Sequence, residues 1–293
     1  MTDAYNVFSL FRIIHPNKYF EDYISCGERP DERGFSDHRS LLLSVHSIKT
    51  AEASAVLKCG NTAAVCGISL ELATPKAEEP DNGFLVINVE MTPLCSSKFR
   101  PGPPSDQAQV ISTAVNDVIT NSKCIDLKDL CIVSDKLAWV VYCDVACIDN
   151  DGSVIDACIV TLMASLKTLT LPTVSYDVET EEIKVDPTVR IPLKMSGLPV
   201  ATSFAIYQTP QRNILLSDPT SYEEDMCGGI GTNLIVCWNE GLLCGVQKFG
   251  GSNISTEDHK ELFRVSKMRS EVIREAIITC ITGDTEELSE SPK

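Results

Sequence analysis

Positive charge is what this chain has little of: 25 lysines and arginines stand against 41 aspartates and glutamates, for a net charge of −16. A free-standing nucleic-acid binder carries a basic footprint, which this composition disfavours, although a few cations at one edge can still act locally. Long apolar runs are missing too, and none approaches the roughly 20 residues of a membrane helix. The opening stretch, MTDAYNVFSLFRIIHPNKYF, lacks a charged start, a long apolar core and a small-residue cleavage site. It is not read as a secretory signal, and a soluble intracellular chain with no membrane partner is expected. Histidine is scarce, at four residues, and no Cys-x-x-Cys pair is present among the thirteen cysteines. Most of those cysteines (Cys59, Cys66, Cys143, Cys147, Cys158, Cys237, Cys244) fall inside apolar strand-like runs. They read as small buried hydrophobes of a reducing compartment, not as a disulfide scaffold. Cys143 and Cys147 would share a strand face, yet the surrounding WVVYCDVACI reads as core, so no metal is expected there.

What is present is enough apolar material, 43% of 293 residues, to bury a full core in one or two domains. The most informative stretch is Ala53–Glu71, ASAVLKCGNTAAVCGISLE. It reads as two strands, Ala53–Cys59 and Thr62–Glu71, closed by Gly60-Asn61, residue types that tolerate positive φ in a two-residue hairpin. Ile13–Ser25 reads as a short amphipathic helix with Pro16 near its start. Further strands are expected at Leu41–Thr50, Phe84–Thr92 and Leu137–Asp149, with helices at Ser105–Asn121, capped by Ser105, and Asp156–Leu169. The proline-rich Pro172–Leu198 reads as a connector of short strands and charged loops. Beyond it the pattern repeats more compactly, with strands at Val200–Tyr207, Ile214–Ser217, Thr232–Trp238 and Leu242–Lys248. A long helix, Thr256–Cys280, follows, with Leu262, Val265, Val272, Ala276 and Ile277 at intervals of three and four. The acidic end, Gly283–Lys293, reads as solvated and disordered. The sum is an α+β chain of two strand-then-helix halves.

Upstream of the hairpin stands Arg29-Pro30-Asp31-Glu32-Arg33-Gly34. Other distinctive segments are Asn88-Val89-Glu90, SKFRPGPP ending at Pro104, DGSVIDA from Asp151, and LSDPTSYEE from Leu216 to Glu224. In this order and spacing they resemble RNase PH-like proteins over roughly residues 15–280, and among those the ring subunits of the eukaryotic RNA exosome. The resemblance implies an RNase PH-like fold of two similar strand-rich βαβα modules (ribosomal protein S5 domain 2-like). It places an N-terminal helix and arm at 1–28, the first module at 29–171, a connecting segment at 172–198, the C-terminal module at 199–280 and an acidic disordered tail at 281–293.

Phosphorolysis needs a phosphate held beside the scissile phosphodiester, which calls for arginine forks and backbone N–H donors at a helix start. Active family members place a Gly-Ser/Thr-Arg triplet there; this chain has Gly152-Ser153-Val154. Valine cannot pair with phosphate, and losing a bidentate clamp in a dry site costs several powers of ten in rate. Asp151-Gly152 by itself also reads as an ordinary hairpin turn. The family's acid run, Asp-x-Asp-x-x-Glu-Asp, corresponds to Asp218 through Glu224, with Asp218 and Glu224 kept and Thr220 in place of the inner acid. On its residues alone, Asp218-Pro219-Thr220 is a turn and Glu223–Asp225 a solvated run. The helix expected to track RNA has no basic residue between Ser105 and Ser122.

The cations left near that loop are Lys98 and Arg100, which the resemblance points toward a central channel as RNA contacts. Loop solubility or an interface salt bridge explains them equally. Lys248 with Gly250-Gly251, and the Gly228–Gly231 run, are weak phosphate-loop patterns and read as ordinary loops.

The expected function is therefore a non-catalytic structural subunit of an exosome ring, a pseudo-enzyme with no cofactor, supporting 3′→5′ RNA processing by lining a channel. Gly152, Ser153, Val154, Asp218 and Glu224 are its vestigial positions. Its implied partners are other RNase PH-like ring subunits, S1/KH-type caps, RNA and a separate exoribonuclease, in the nucleus, nucleolus and cytoplasm. The competing expectation is an active phosphate-dependent exoribonuclease using Asp218 and Glu224 with a neighbour's arginines. A third is a ring subunit that adds RNA affinity without chemistry.

Overall fold

The computed structural model describes residues 10–96, 98–100, 102–103, 105–177, 182–209, 212–229, 234–248, 250–251 and 253–289. Helix α1 (Pro16–Cys26) carries its proline in the first turn, where no N–H is needed, and ends on Gly27 at φ 85°. Strands β1 (Leu41–Val45), β2 (Ala53–Cys59) and β3 (Thr62–Ala73) form an antiparallel meander, followed by β4 (Phe84–Met91). Helix α2 (Asp106–Ser122) is capped by Ser105, whose hydroxyl accepts the Ala108 N–H. After one 3-10 turn come β5 (Cys131–Val133), the long β6 (Leu137–Asp149) and α3 (Val154–Thr168). A ribbon of β7 (Thr170–Tyr176) and β8 (Ile183–Pro192) leads to β9 (Val200–Gln208), β10 (Asn213–Ser217) and the short α4 (Ser221–Met226). The described elements close with β11 (Leu234–Asn239), β12 (Leu242–Lys248) and α5 (Thr256–Ser289).

The first sheet runs β1-β2-β3-β6-β4, with β5 also paired to β6, and the second runs β10-β9-β11-β12. All pairings are antiparallel except β4 on β6, which α2 bridges as a crossover. Cys59 pairs directly with Thr62, so Gly60 and Asn61 are the whole turn, and Gly60 takes φ 57°. Helix α3 is buried around nearly its full circumference. A helix that is apolar all round belongs inside a core. It packs on β2, β3 and β6 on one side and on β9 and α5 on the other. Val200, Ala201, Ile235, Cys237, Ile273 and Ile277 of the second half join the same core, so the two modules share one interior.

The elements depart from expectation at β1, in the connector and at the end of α5. β1 stops at Val45 because His46 takes φ 56°, which breaks the strand before Thr50. The stretch read as a connector forms most of the β7–β8 ribbon, with a bulge at Pro172 that absorbs a residue unable to donate to the ladder. Helix α5 continues past Cys280 to Ser289, since one glycine at 283 costs only about 1 kcal/mol and no proline intervenes. Residues 290–293 of the expected tail, and much of the Gly228–Gly231 run, lie outside the described residues.

Cys143 and Cys147 are core residues whose thiols burial pushes up. Among the described residues no three His, Cys, Asp or Glu side chains are grouped as metal ligands, and no helix is long and apolar enough to cross a membrane.

Candidate functional site

The hairpin turn and the turn entering α3 are stitched together. Thr62 Oγ1 donates to the Gly152 carbonyl at 2.8 Å and accepts the Asp151 N–H at 3.1 Å. Asn61 Nδ2 donates to Asp151 Oδ2 at 3.2 Å. The sequence reading gave Asn61 a turn role and Thr62 a strand role; the structure gives both a second one, positioning Gly152-Ser153. Gly152 takes φ 83°, and a Cβ there would sit 2.3 Å from the Pro219 carbonyl oxygen and 2.5 Å from the Thr220 carbonyl carbon. Backbone therefore packs directly on backbone between this turn and the acidic loop.

That loop is not a solvated run. Thr220 caps α4 through a reciprocal box with Glu223, and Glu223 and Glu224 are both buried. The Thr-x-x-Glu signature was legible in the sequence, but a helix of six residues is too short to show a period. Glu223 is gripped by Arg29, which is fully buried: Arg29 Nε donates to Oε1 at 2.7 Å and Nη2 donates to Oε2. The same guanidinium donates to the Ser217 and Asp218 carbonyls. Asp218 is held by Arg39, whose Nη2 and Nε reach its two oxygens at 2.6 and 3.0 Å, and by Arg33 Nη1 at 3.3 Å. Arg39 also donates to the carbonyls of Asp151 and Gly152. A Cβ on Gly60 would lie 2.5 Å from Arg39 Cδ, so that glycine keeps the arginine's path clear. Burial alone would raise the Asp218 carboxyl, but the Arg39 bonds and charge overcome it and bring the pKa down to about 2. Its stabilising contribution is thus complete above the ordinary value of 3.8 and is lost as pH falls toward 2.

Glu224 faces the other way. Its Oε1 accepts the Ser153 N–H at 3.0 Å, at the N-terminus of α3. Ser153 Oγ donates to the Pro219 carbonyl at 3.2 Å. Val154 is buried in the shared core. The structure thus brings Gly152, Ser153, Asp218 and Glu224 together, each with its polar groups bonded inside the chain. Arg39 was missed by the sequence reading; a lone arginine ahead of a strand carries no local signal.

Lys98 and Arg100 stand apart from this cluster. Lys98 Nζ pairs with Asp225 at 2.9 Å, both half-exposed, and Arg100 is exposed. Lys248 Nζ donates to the Gly250 carbonyl, so this pair closes its own loop.

A further acid is half-buried at the start of α3. Asp156, in the first turn of α3, accepts the Ser203 N–H and hydroxyl, each at 2.7 Å, and so ties α3 to β9. Burial raises its pKa from 3.8 to about 7, against the lowering effect of the Ser203 bonds. For an acid with a raised folded pKa, stability is fullest below the unfolded value and drains away as pH rises through the folded one. Asp156→Asn removes the charge and keeps both contacts with one reversed, Oδ1 accepting the Ser203 N–H and Nδ2 donating to the Ser203 hydroxyl. It is expected to gain on the parent by roughly 2–4 kcal/mol between pH 4 and pH 8. Melting temperatures across that range check this, and parallel curves for the two proteins would refute it.

Known proteins match this chain over most of its length. Residues 37–172 match the family model described as the 3′ exoribonuclease family, domain 1. The chain is 35% identical to the exosome complex component rrp43 of Schizosaccharomyces pombe, over 89% of this chain and 94% of that protein. It is 34% identical to the exosome complex component Rrp42 of Pyrococcus abyssi, over 87% and 90%. Among solved structures it superposes on a chain of the Archaeoglobus fulgidus exosome with RNA bound to the active site, with a TM-score of 0.77 and 28% identity over 89% of this chain and 96% of that one. The chain belongs to the RNase PH family, in its branch of exosome complex components.

Proposed function

We propose that this chain is a non-catalytic structural subunit of an exosome core ring. One observation carries the reading: the N-terminus of α3, where a phosphorolytic site needs phosphate, is occupied by the chain's own Glu224 carboxylate on the Ser153 N–H. Gly152 is packed so closely on Pro219 and Thr220 that even a Cβ would not fit between this turn and the acidic loop. Val154 supplies no guanidinium, and Arg29, Arg33 and Arg39 ahead of β1 spend their forks on Glu223, Asp218, Asp31 and main-chain carbonyls. The acids that could assist chemistry are structural counter-ions here.

The ring role is supported by surface as well as ancestry. Leu242, Leu243 and Val246 lie exposed on the edge strand β12, and Ile183, Val185, Val189 and Ile191 on β8. Apolar edges of this kind fit obligate neighbours. Those neighbours would be other RNase PH-like subunits, with S1/KH-type caps and a separate exoribonuclease, acting in nucleus, nucleolus and cytoplasm. RNA passing the ring would meet Lys98 and Arg100, which line a surface groove of about 540 Å³ with Phe99 and the start of α2.

Two measurements test this. Incubated with an oligoadenylate, inorganic phosphate and Mg²⁺, the chain alone is expected to release no nucleoside diphosphate. Release from the assembled ring that disappears in Asp218→Asn would overturn the non-catalytic reading. For the groove, Lys98→Ala with Arg100→Ala is expected to lower RNA crosslinking to the ring several-fold. Unchanged crosslinking would remove RNA contact from these two residues.

A further inference from the structure

At the seam of the two modules, directly behind the acid cluster, lies a small cavity. Its wall is drawn from the segment before β1 (His38), β2 (Cys59), α3 (Asp156), β9 (Thr202), the turn after β10 (Asp218) and α5 (Arg269). The space open to the centre of a water-sized sphere is about 20 Å³. One ordered water needs at least about 10–15 Å³ by this measure, together with two to four polar partners.

The wall supplies those partners. His38 Nε2 and Thr202 Oγ1 are both buried with no hydrogen-bond partner among the described residues. A buried polar group left unsatisfied is destabilising, and a dry cavity would leave two of them. The two groups are also complementary. Burial and the Arg269 charge lower the His38 pKa to about 4, so at neutral pH the imidazole is uncharged and its Nε2 can accept. The Thr202 hydroxyl can donate. A water between them accepts from Thr202, donates to His38, and has the Asp156 and Asp218 carboxylates in the same wall for its second hydrogen.

We propose that this cavity is a one-water site, in which a single structural water bridges His38 Nε2 and Thr202 Oγ1 and so joins the segment before β1 to the second sheet. It is a hydrated seam, built where Asp156 and Ser203 already tie α3 to β9. The bridge adds the segment carrying Arg33 and Arg39 to that junction.

A sign decides the matter. Thr202→Val is nearly isosteric. If the cavity is wet, the substitution removes a ligand of the water, and the unfolding equilibrium constant of the full chain rises roughly 3- to 10-fold. If the cavity is dry, the same change deletes an orphaned hydroxyl and adds a methyl contact, and the constant falls. A crystal structure of the full chain at high resolution supplies the second reading, independent of any variant's folding. Density for one water within hydrogen-bond distance of both atoms is expected. A dry cavity, or His38 Nε2 bonded directly to Thr202 Oγ1, overturns the proposal, as does a stabilised Thr202→Val.

Discussion

Arg29→Met is expected to destabilise the chain by about 3–5 kcal/mol. Arg29 is fully buried and is the fork partner of Glu223, which is itself 1% exposed. Methionine fills much of the same volume but leaves the buried carboxylate with only Arg33 Nη2, 3.9 Å away, as counter-charge, and that is where the cost arises. The loss should propagate. Arg29 also donates to the carbonyls of Ser217 and Asp218, and Glu223 is half of the box that starts α4. Urea unfolding of the purified chain measures the effect, and a change below about 1 kcal/mol would show that the pair is not the clamp described here. The double variant Arg29→Met with Glu223→Gln separates charge from packing. With the orphaned charge gone, most of the stability should return, since buried ion pairs are often no better than neutral groups of similar shape.

The second large effect is expected at Gly152→Ala, at about 3 kcal/mol or more. The residue holds φ 83°, and the added Cβ would meet the Pro219 carbonyl oxygen at 2.3 Å, the Thr220 carbonyl carbon at 2.5 Å and the Ser221 nitrogen at 2.6 Å. All three are backbone atoms of one turn, so none can swing aside as a side chain could. Relief would require the acidic loop to lift off the start of α3, breaking the Glu224 contact to the Ser153 N–H. The measurement is again the urea midpoint. Gly229→Ala is a suitable control, because that glycine also has positive φ, 89°, but nothing within 4 Å of its missing Cβ. Equal costs at the two positions would mean that backbone strain alone is being read and that the close approach is not tight.

Local elements were largely legible. The strands Ala53–Cys59, Leu137–Asp149 and Leu242–Lys248, and the Ser105 cap, follow from alternation, turn chemistry and capping preference. Those signals act over a few residues, and so survive without knowledge of the fold. The candidate site was legible by composition: Val154 and Thr220 stand in the chain itself, and the sequence could report which groups had gone. It could not report where the survivors point. Glu223 and Glu224, read as solvated, are buried, because the helix that hides them is shorter than any period. Lys98, read as an RNA contact, has Asp225 as a neighbour from a segment far along the chain.

By itself, then, the sequence determined the elements, the family boxes and the missing guanidinium at Val154. Those depend on residue type and spacing, which need no partner to be read. The tertiary structure alone decided that Arg29 meets Glu223 across 194 residues, that Arg39 meets Asp218 across 179, and that Glu224 reaches the Ser153 N–H across 71. With 25 basic and 41 acidic side chains in the chain, no local rule selects those pairings. They follow from burial, because a shared core around α3 forces the two modules together and charges trapped at the seam must be matched or they destabilise it.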